Sequence, residues 1–284
     1  MTDEARVRPG RTVEIEVLAL DGADRAPKHD SVVTEEPLEI RLVAGGATHA
    51  LAVTMRTPGN DFELAAGFTF GEGIVRARDE IAGISYCLDP DLDSDQRYNV
   101  VNVELSRADL PDLARFERHF TVSSACGVCG RAQLDSLRDL GVTPLDDDVR
   151  VSAELIYSLP ERMREAQRVF SSTGGLHAAA LFSETGEAMV VREDIGRHNA
   201  VDKVVGWGLL NGRLPFARSI LMVSGRAGYE ILQKSAVARI PIVASVSAPS
   251  SLAVDLACEF NITLAGFVRG TRANAYSAAS RIEI

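Results

Sequence analysis

The chain has 284 residues, of which 46% are hydrophobic and 25% charged, with four cysteines and a formal net charge of −10. This is ordinary globular usage, long enough for one large domain or two ordinary ones. The acidity argues against a general nucleic-acid binder, and no apolar run approaches the roughly 18 residues of a membrane span. The opening MTDEARVRPG has no apolar signal core, so a cytoplasmic location is expected. There thiols stay reduced, which argues against a disulfide scaffold.

The charge is unevenly spread. Residues 192–284 hold 11 Lys+Arg against 7 Asp+Glu, so the acidic excess lies in the first 191 residues. The C-terminal third could accept an anionic ligand.

In chain order, residues 1–30 are polar, with Pro9, Pro27 and a DGADR cluster, and read as a partly ordered arm. PLEIRLV and HALAVTM alternate as two strands around an AGGAT turn. NDFELAAGFTFGEGIV predicts a helix from an Asn60/Asp61 start to Gly71 or Gly73. RYNVVNVEL reads as a further strand, after an acidic loop without the spacing of a calcium loop. RAQLDSLRDLGV sets Leu134, Leu137 and Leu140 on one helical face, with Gly141 as the stop. TPLDDDVRV reads as a linker. LHAAALFS and EAMVVRED flank an ETGE turn. A helix from Arg197 to Leu210 then opens a run of strand SILMVSG, helix YEILQKSAVAR, strand PIVASVS, helix SSLAVDLACEF and strand ITLAGFV. That order predicts an α/β domain with a mixed, largely parallel sheet.

In such sheets ligands bind beyond the carboxyl ends of the strands. VSGRAGYE offers Gly225, Arg226 and Gly228; SVSAPSSLAVDL offers Ser250 or Ser251 at a helix start; GFVRGTR offers Arg269 and Arg272. Helix starts and arginines both suit phosphate. Each loop alone is weak, since serine caps usually only cap, but three on one edge suggest a nucleotide-like anionic pocket. In REDIGRHNAVDK, His198 and Asp202 stand four apart, as do Asn199 and Lys203. This is either an acid–base couple or a helix-start network, and His198 joins the cofactor-facing candidates. His177, at a strand start, reads as structural.

Cys87 and Cys258 read as buried small hydrophobes. In SSACGVCGR, by contrast, Cys126 and Cys129 are flanked by Gly and Ser just before a helix, where the N-terminus and Arg131 favour thiolate. A structural zinc site needs four ligands and no second pair completes one. A thioredoxin-type dithiol would stand at a helix start near the head of its domain, not mid-chain. A sulfur carrier needs only an accessible thiol on a Gly-rich loop, and fits best.

Taken with FSSTGGLHAAAL, REDIGRHNAVDKVVG, VSGRAGYEILQKSAVARIPIVASVSAPSSLAVDLA and TLAGFVRGTR, the cysteine motif resembles the FdhD/NarQ family of formate dehydrogenase accessory sulfurtransferases, from about Val32 to the end. The resemblance implies a cytidine-deaminase-like domain over 151–284, a smaller N-terminal α+β domain over 31–120, and the CxxC loop, helix and linker over 121–150. It implies transfer of sulfur from a cysteine desulfurase persulfide to molybdenum (or tungsten) bis-molybdopterin guanine dinucleotide, which then enters formate dehydrogenase. Cys126 would bear the persulfide with Cys129 as its partner, and Phe267, Val268, Arg269, Gly270, Thr271 and Arg272 would bind the cofactor. A homodimer is also implied. The deaminase likeness is of fold only, because no HxE with a matching PCxxC is present, and no zinc is expected. Two other readings stay open: a non-catalytic cofactor chaperone and a zinc-binding interaction module.

Overall fold

The computed structural model describes residues 9–87, 98–112 and 130–284. Its first element differs from expectation. β1 (Thr12–Asp21) and β2 (Asp24–Val33) form a ten-residue antiparallel hairpin where an irregular arm was expected. Val13, Ile15 and Val17 alternate in β1, but Pro27 and the polar composition of β2 concealed its partner. A two-stranded ribbon tolerates Pro because both its strands are edges.

β3 (Glu36–Ala44), β4 (Ala47–Arg56), β5 (Ile81–Tyr86) and β6 (Val100–Leu105) form a second sheet in the order β4-β3-β6-β5, with β3 and β6 parallel. The alternation read in PLEIRLV buries Leu38, Ile40 and Leu42 on one face. α1 (Asp61–Gly71) follows β4 as expected. α2 (Gly130–Asp139) begins directly after Cys129, and its Leu137 is fully buried.

The stretch read as a linker is a packed strap. Leu145 and Val149 are buried, and Asp147 forms a bidentate pair with Arg281. It leads through β7 (Val151–Ser152) into α3 (Ala153–Ala166) and α4 (Arg168–Thr173), neither of which was read from the sequence. Ser152 caps α3 by accepting from the Leu155 amide, and Ile156, Leu159 and Met163 face inward at helical spacing. Pro160 inside the helix masks that pattern.

The largest sheet comprises β8 (His177–Ser183), β9 (Ala188–Asp194), β10 (Ser219–Val223), β11 (Ile242–Ser245), β12 (Thr263–Arg269) and β13 (Arg272–Ser277), ordered β13-β12-β11-β10-β8-β9. β14 (Ile282–Glu283) pairs with β7. Only β10/β11 and β11/β12 are parallel, so the sheet is mixed but not largely parallel. The hairpins at both ends of the sheet supply the antiparallel pairings. Alternation then divides the core. Ala178, Ala180, Phe182, Ile220, Met222, Ile242 and Ala244 face α3. Ala179, Leu181, Leu221, Val223 and Val243 face the other side. There lie α5 (Arg197–Leu210), α6 (Tyr229–Val237) and α7 (Ser251–Glu259). A sheet buried on both faces explains the unbroken apolar runs SILMV and PIVA.

That second face shares one apolar cluster with β3, β6 and α1. The junction is the crossing of α1 and α5, where a Cβ at Gly67 would collide with the Asp202 carbonyl and one at Gly206 with the Glu63 carbonyl. Glu63 also holds Arg192 of β9 through two bonds of 2.5 and 2.6 Å. Among the described residues, no helix is long and apolar enough to cross a membrane.

Candidate functional site

Parallel β10, β11 and β12 deliver their three following loops to one edge, and those loops are laced together. The Ser245 hydroxyl donates to the Gly225 carbonyl at 2.7 Å, and the Ser247 carbonyl accepts from the Phe267 amide at 3.1 Å. The Ser250 amide donates to the Ala227 carbonyl at 3.0 Å. Phe267 (φ 54°) and Gly270 (φ 56°) are left-handed, which turns β12 into β13 with Arg269 opposite Arg272. The loops therefore form one preorganised rim.

On the α3 side of that rim is a cavity of about 640 Å³, the size range of small-molecule sites. Val268, Arg269 and Gly270 line it, with Ser224 and Val246 from the two neighbouring loops. Tyr157, Glu161, Arg164 and Phe170 from α3 and α4 complete the wall, with Gly174, Gly175 and His177 where β8 begins. Arg164 and Arg269 are exposed and, among the described residues, neither has an acidic partner within ion-pair distance. Two uncommitted guanidiniums over an apolar wall can grip an anion bidentately while a ring packs beside them.

His177 is half-buried rather than a simple core residue. Burial, then the charges of Arg197, His198 and Arg226, hold its imidazole below the usual histidine range against the opposing pull of Asp194. At neutral pH it is a neutral donor and acceptor at the cavity floor. Gly225 explains how it fits: a Cβ there would lie 3.2 Å from Nδ1 of His177.

Of the sequence-predicted cofactor residues, the cavity gathers Val268, Arg269 and Gly270. Thr271 and Arg272 are exposed on the adjacent turn, and Phe267 is exposed beside it. Ser250 is a cap, accepting from the Ala253 amide at 3.3 Å, and exposed Ser251 starts α7. Gly225 is buried behind His177. Arg226 and His198 sit at the starts of α6 and α5, outside the cavity. The suggested His198–Asp202 couple does not form: His198 Nδ1 faces Glu230 at 3.0 Å, and Lys234 lies 2.7 Å from Asp202. One turn along α5, Lys203 turns to Asp194 instead of Asn199. Partners from α6 and β9 displace the i,i+4 neighbours here because α5 is buried on several sides.

Tyr157, Arg164, Phe170 and His177 were missed. The Ser152 cap and the apolar spacing of α3 could have found the helix, though not that its Arg164 lines the same cavity as Arg269. Cys126 and Cys129 lie outside the described residues, as does the side chain of Arg131. Cys87 is buried as expected, but Cys258 is exposed on α7 because Leu256 and Ala257 take its inward face.

The profile of the FdhD/NarQ family matches residues 33–283. The chain belongs to that family. It is 52% identical over 267 residues to the sulfur carrier protein FdhD of Streptomyces avermitilis, covering 93% of each chain. The sulfur carrier protein FdhD of Sulfurisphaera tokodaii is 44% identical across 94% of this chain and 98% of its own. A crystal structure from Desulfotalea psychrophila, described as a formate dehydrogenase accessory protein, superposes with a TM-score of 0.74 at 26% identity, covering 96% of this chain and all of that one. Family membership is consistent with the motifs quoted from Val32 onward, and the matched span leaves out most of the β1–β2 hairpin.

Proposed function

We propose that this chain is a cytoplasmic sulfur carrier that takes sulfur from a cysteine desulfurase and delivers it to the molybdenum bis-molybdopterin guanine dinucleotide cofactor needed by formate dehydrogenase. The Cys126 thiolate attacks the terminal sulfur of the donor persulfide, the donor leaves as a thiolate, and Cys126 becomes a persulfide. Attack by the Cys129 thiol on Cys126 Sγ then closes a disulfide and releases the outer sulfur as hydrosulfide, which balances electrons without another reductant. Transfer of the sulfur on to Cys129 is the other route.

The observation that carries this reading is the cavity with Arg164 and Arg269, in a chain whose relatives are named sulfur carriers. Cofactor here is cargo, and its guanine dinucleotide arm matches an anion-gripping pocket with an apolar wall. The β9-β8-β10-β11-β12 order, with helices on both faces, is the ground for reading residues 151–284 as the deaminase-like domain. Val13, Ile15, Leu18 and Leu20, exposed on β1, are apolar surface for a second copy in the implied homodimer.

The test is intact-mass spectrometry after incubation with a cysteine desulfurase and cysteine. A cyanide-labile gain of about 32 Da, one sulfur, is expected. Its absence, or its persistence in Cys126→Ala, overturns the proposal. An active formate dehydrogenase supported by Cys126→Ala but not by Arg269→Ala would favour a cofactor chaperone instead.

A further inference from the structure

His198 turns away from Asp202 on its own helix to Glu230 at the start of α6, with Nδ1 at 3.0 Å from Oε2. A carboxylate only accepts, so the ring carries its proton on Nδ1 and presents a bare lone pair at Nε2. The same hydrogen bond is the first cause that holds the Glu230 carboxyl below its usual range, which keeps the orienting charge in place. Nε2 has no hydrogen-bond partner among the described residues, and the side chain keeps 29% of its surface exposed. A histidine oriented by a carboxylate, with its far nitrogen open, is the arrangement of a proton acceptor.

The helix that follows the thiol pair is aimed at this couple. α2 begins at Gly130, directly after Cys129, and two contacts fix its direction. Ser136 is hydrogen-bonded to the Tyr229 phenol at the start of α6. Leu140, four residues on, lines a small cavity with Ala236 and Val237 at the end of α6. α2 therefore runs alongside α6 in the same sense, and its Leu137 is fully buried in the cluster that contains Ile231 and Leu232. Traced back from Ser136 to Gly130, about 9 Å of helix, α2 opens towards the edge where α5 and α6 start. Tyr229 and Glu230 are adjacent, so the first turn of α6 both anchors α2 and orients His198. Arg197 acts on Glu230 and on His177, so the local charge favours a thiolate over a thiol.

We propose that His198 is the general base of the sulfur-transfer step, with Glu230 as its positioning residue. This rests on the carrier reading above. Nε2 takes the proton of the Cys126 thiol, and the thiolate attacks the terminal sulfur of the donor persulfide. The donor's S–S bond breaks, and the donor leaves as a thiolate that the imidazolium then protonates. One S–S bond forms as another breaks, so no oxidant or reductant is consumed and the histidine ends as it began. The gain is bounded: a free thiol of pKa about 8.5 is about 3% ionised at neutral pH, so a base raises the rate roughly thirtyfold at most. Once the thiol ionises by itself, the base adds nothing.

Single-turnover transfer from a persulfide-loaded cysteine desulfurase to the full chain, quenched and followed by intact mass, tests this. At neutral pH, His198→Ala and His198→Gln should each slow uptake by about tenfold, and Glu230→Gln by several-fold. Added imidazole should restore most of the rate in His198→Ala and none of it in Glu230→Gln, which retains the ring. At about pH 9.5 the parent and His198→Ala should run alike. The titratable groups that face His198, which are Glu230 from α6, Asp202 on its own helix and His177 from β8, have all lost their protons by then, and Arg197 stays charged throughout. Uptake at the parental rate in both His198 variants overturns the proposal. So does a defect that imidazole leaves untouched and that persists at high pH. Uptake that is absent from the parent, or that survives in Cys126→Ala, is instead the failure of the carrier reading.

Discussion

Lys203 Nζ meets Asp194 Oδ2 at 2.6 Å, and neither side chain has exposed surface. The pair joins three segments. Lys203 also donates to the Thr57 carbonyl at 3.0 Å, while Asp194 accepts from the amides of Thr57 and Gly196 and from Asn199. A charge so placed is tolerated only while its partners remain. Lys203→Met should therefore cost about 3–5 kcal/mol in urea unfolding. Lys203→Met/Asp194→Leu should recover part of it, because the stranded carboxylate is then gone. A loss below about 1 kcal/mol for the single variant would mean that the pair does not hold the segments together.

The α1–α5 crossing makes the opposite of the usual helix prediction. Gly→Ala inside a helix ordinarily stabilises by up to about 1 kcal/mol. At Gly206 the added methyl meets the Glu63 carbonyl, and at Gly67 the Asp202 carbonyl, so the backbones must separate. Gly206→Ala should destabilise by roughly 2 kcal/mol or more, seen as a lowered Tm. An unchanged or raised Tm would show that the helices do not cross this closely.

Asp202 should leave a pH signature. Burial pushes its carboxyl up to about 6, against the pull of Lys234. The folded value stands above the unfolded one, so the protonated folded form is favoured. That contribution is fully present below the ordinary carboxylate range and is lost as pH rises through about 6. Across pH 4–7 the stability of Asp202→Asn relative to the parent should rise, by at most about 3 kcal/mol. Urea titrations at intervals through that window check it, and a flat difference would remove Asp202 as the titrating group.

His177 should couple pH to ligand. Its imidazole is held below the usual histidine range, and a bound anion favours protonation, so guanosine diphosphate affinity should rise as pH falls into the range where His177 takes up its proton. Arg197, His198, Arg226 and Asp194 all act on it, and nearby the hydrogen bond from His198 holds the Glu230 carboxyl below the usual carboxylate range. The comparison with His177→Gln isolates its share: that variant should show a shallower pH slope and similar affinity at pH 8. Gly225→Ala, which crowds Nδ1 of His177, should weaken binding several-fold at pH 7 with little change in Tm. Equal slopes for parent and His177→Gln would exclude the coupling.

Much of the fold was legible because local physics wrote it. PLEIRLV alternates since one face of β3 is buried, and SILMV and PIVA run unbroken since β10 and β11 are buried on both. The hairpin at Thr12 and the helix at Ala153 escaped because each carries a Pro, a residue whose local veto is overruled once an edge or a packed face accommodates it. The three ligand-facing loops were legible as Gly, Ser and Arg at strand ends.

By itself, then, the sequence determined β3, β4 and α1, and the run of strands and helices from β8 to β12, with the thiol pair before α2 and the edge on which arginines collect. Those follow from periodicity, caps and residue chemistry within a few positions of one another. Only the tertiary structure decided that Arg164 lines the same cavity as Arg269, that His177 packs beside Gly225, and that His198 turns to Glu230 and Lys203 to Asp194. Those choices depend on helix crossings and sheet register between residues far apart in the chain. A crossing such as Gly67 over Gly206 sets which charges meet, and no local pattern encodes it.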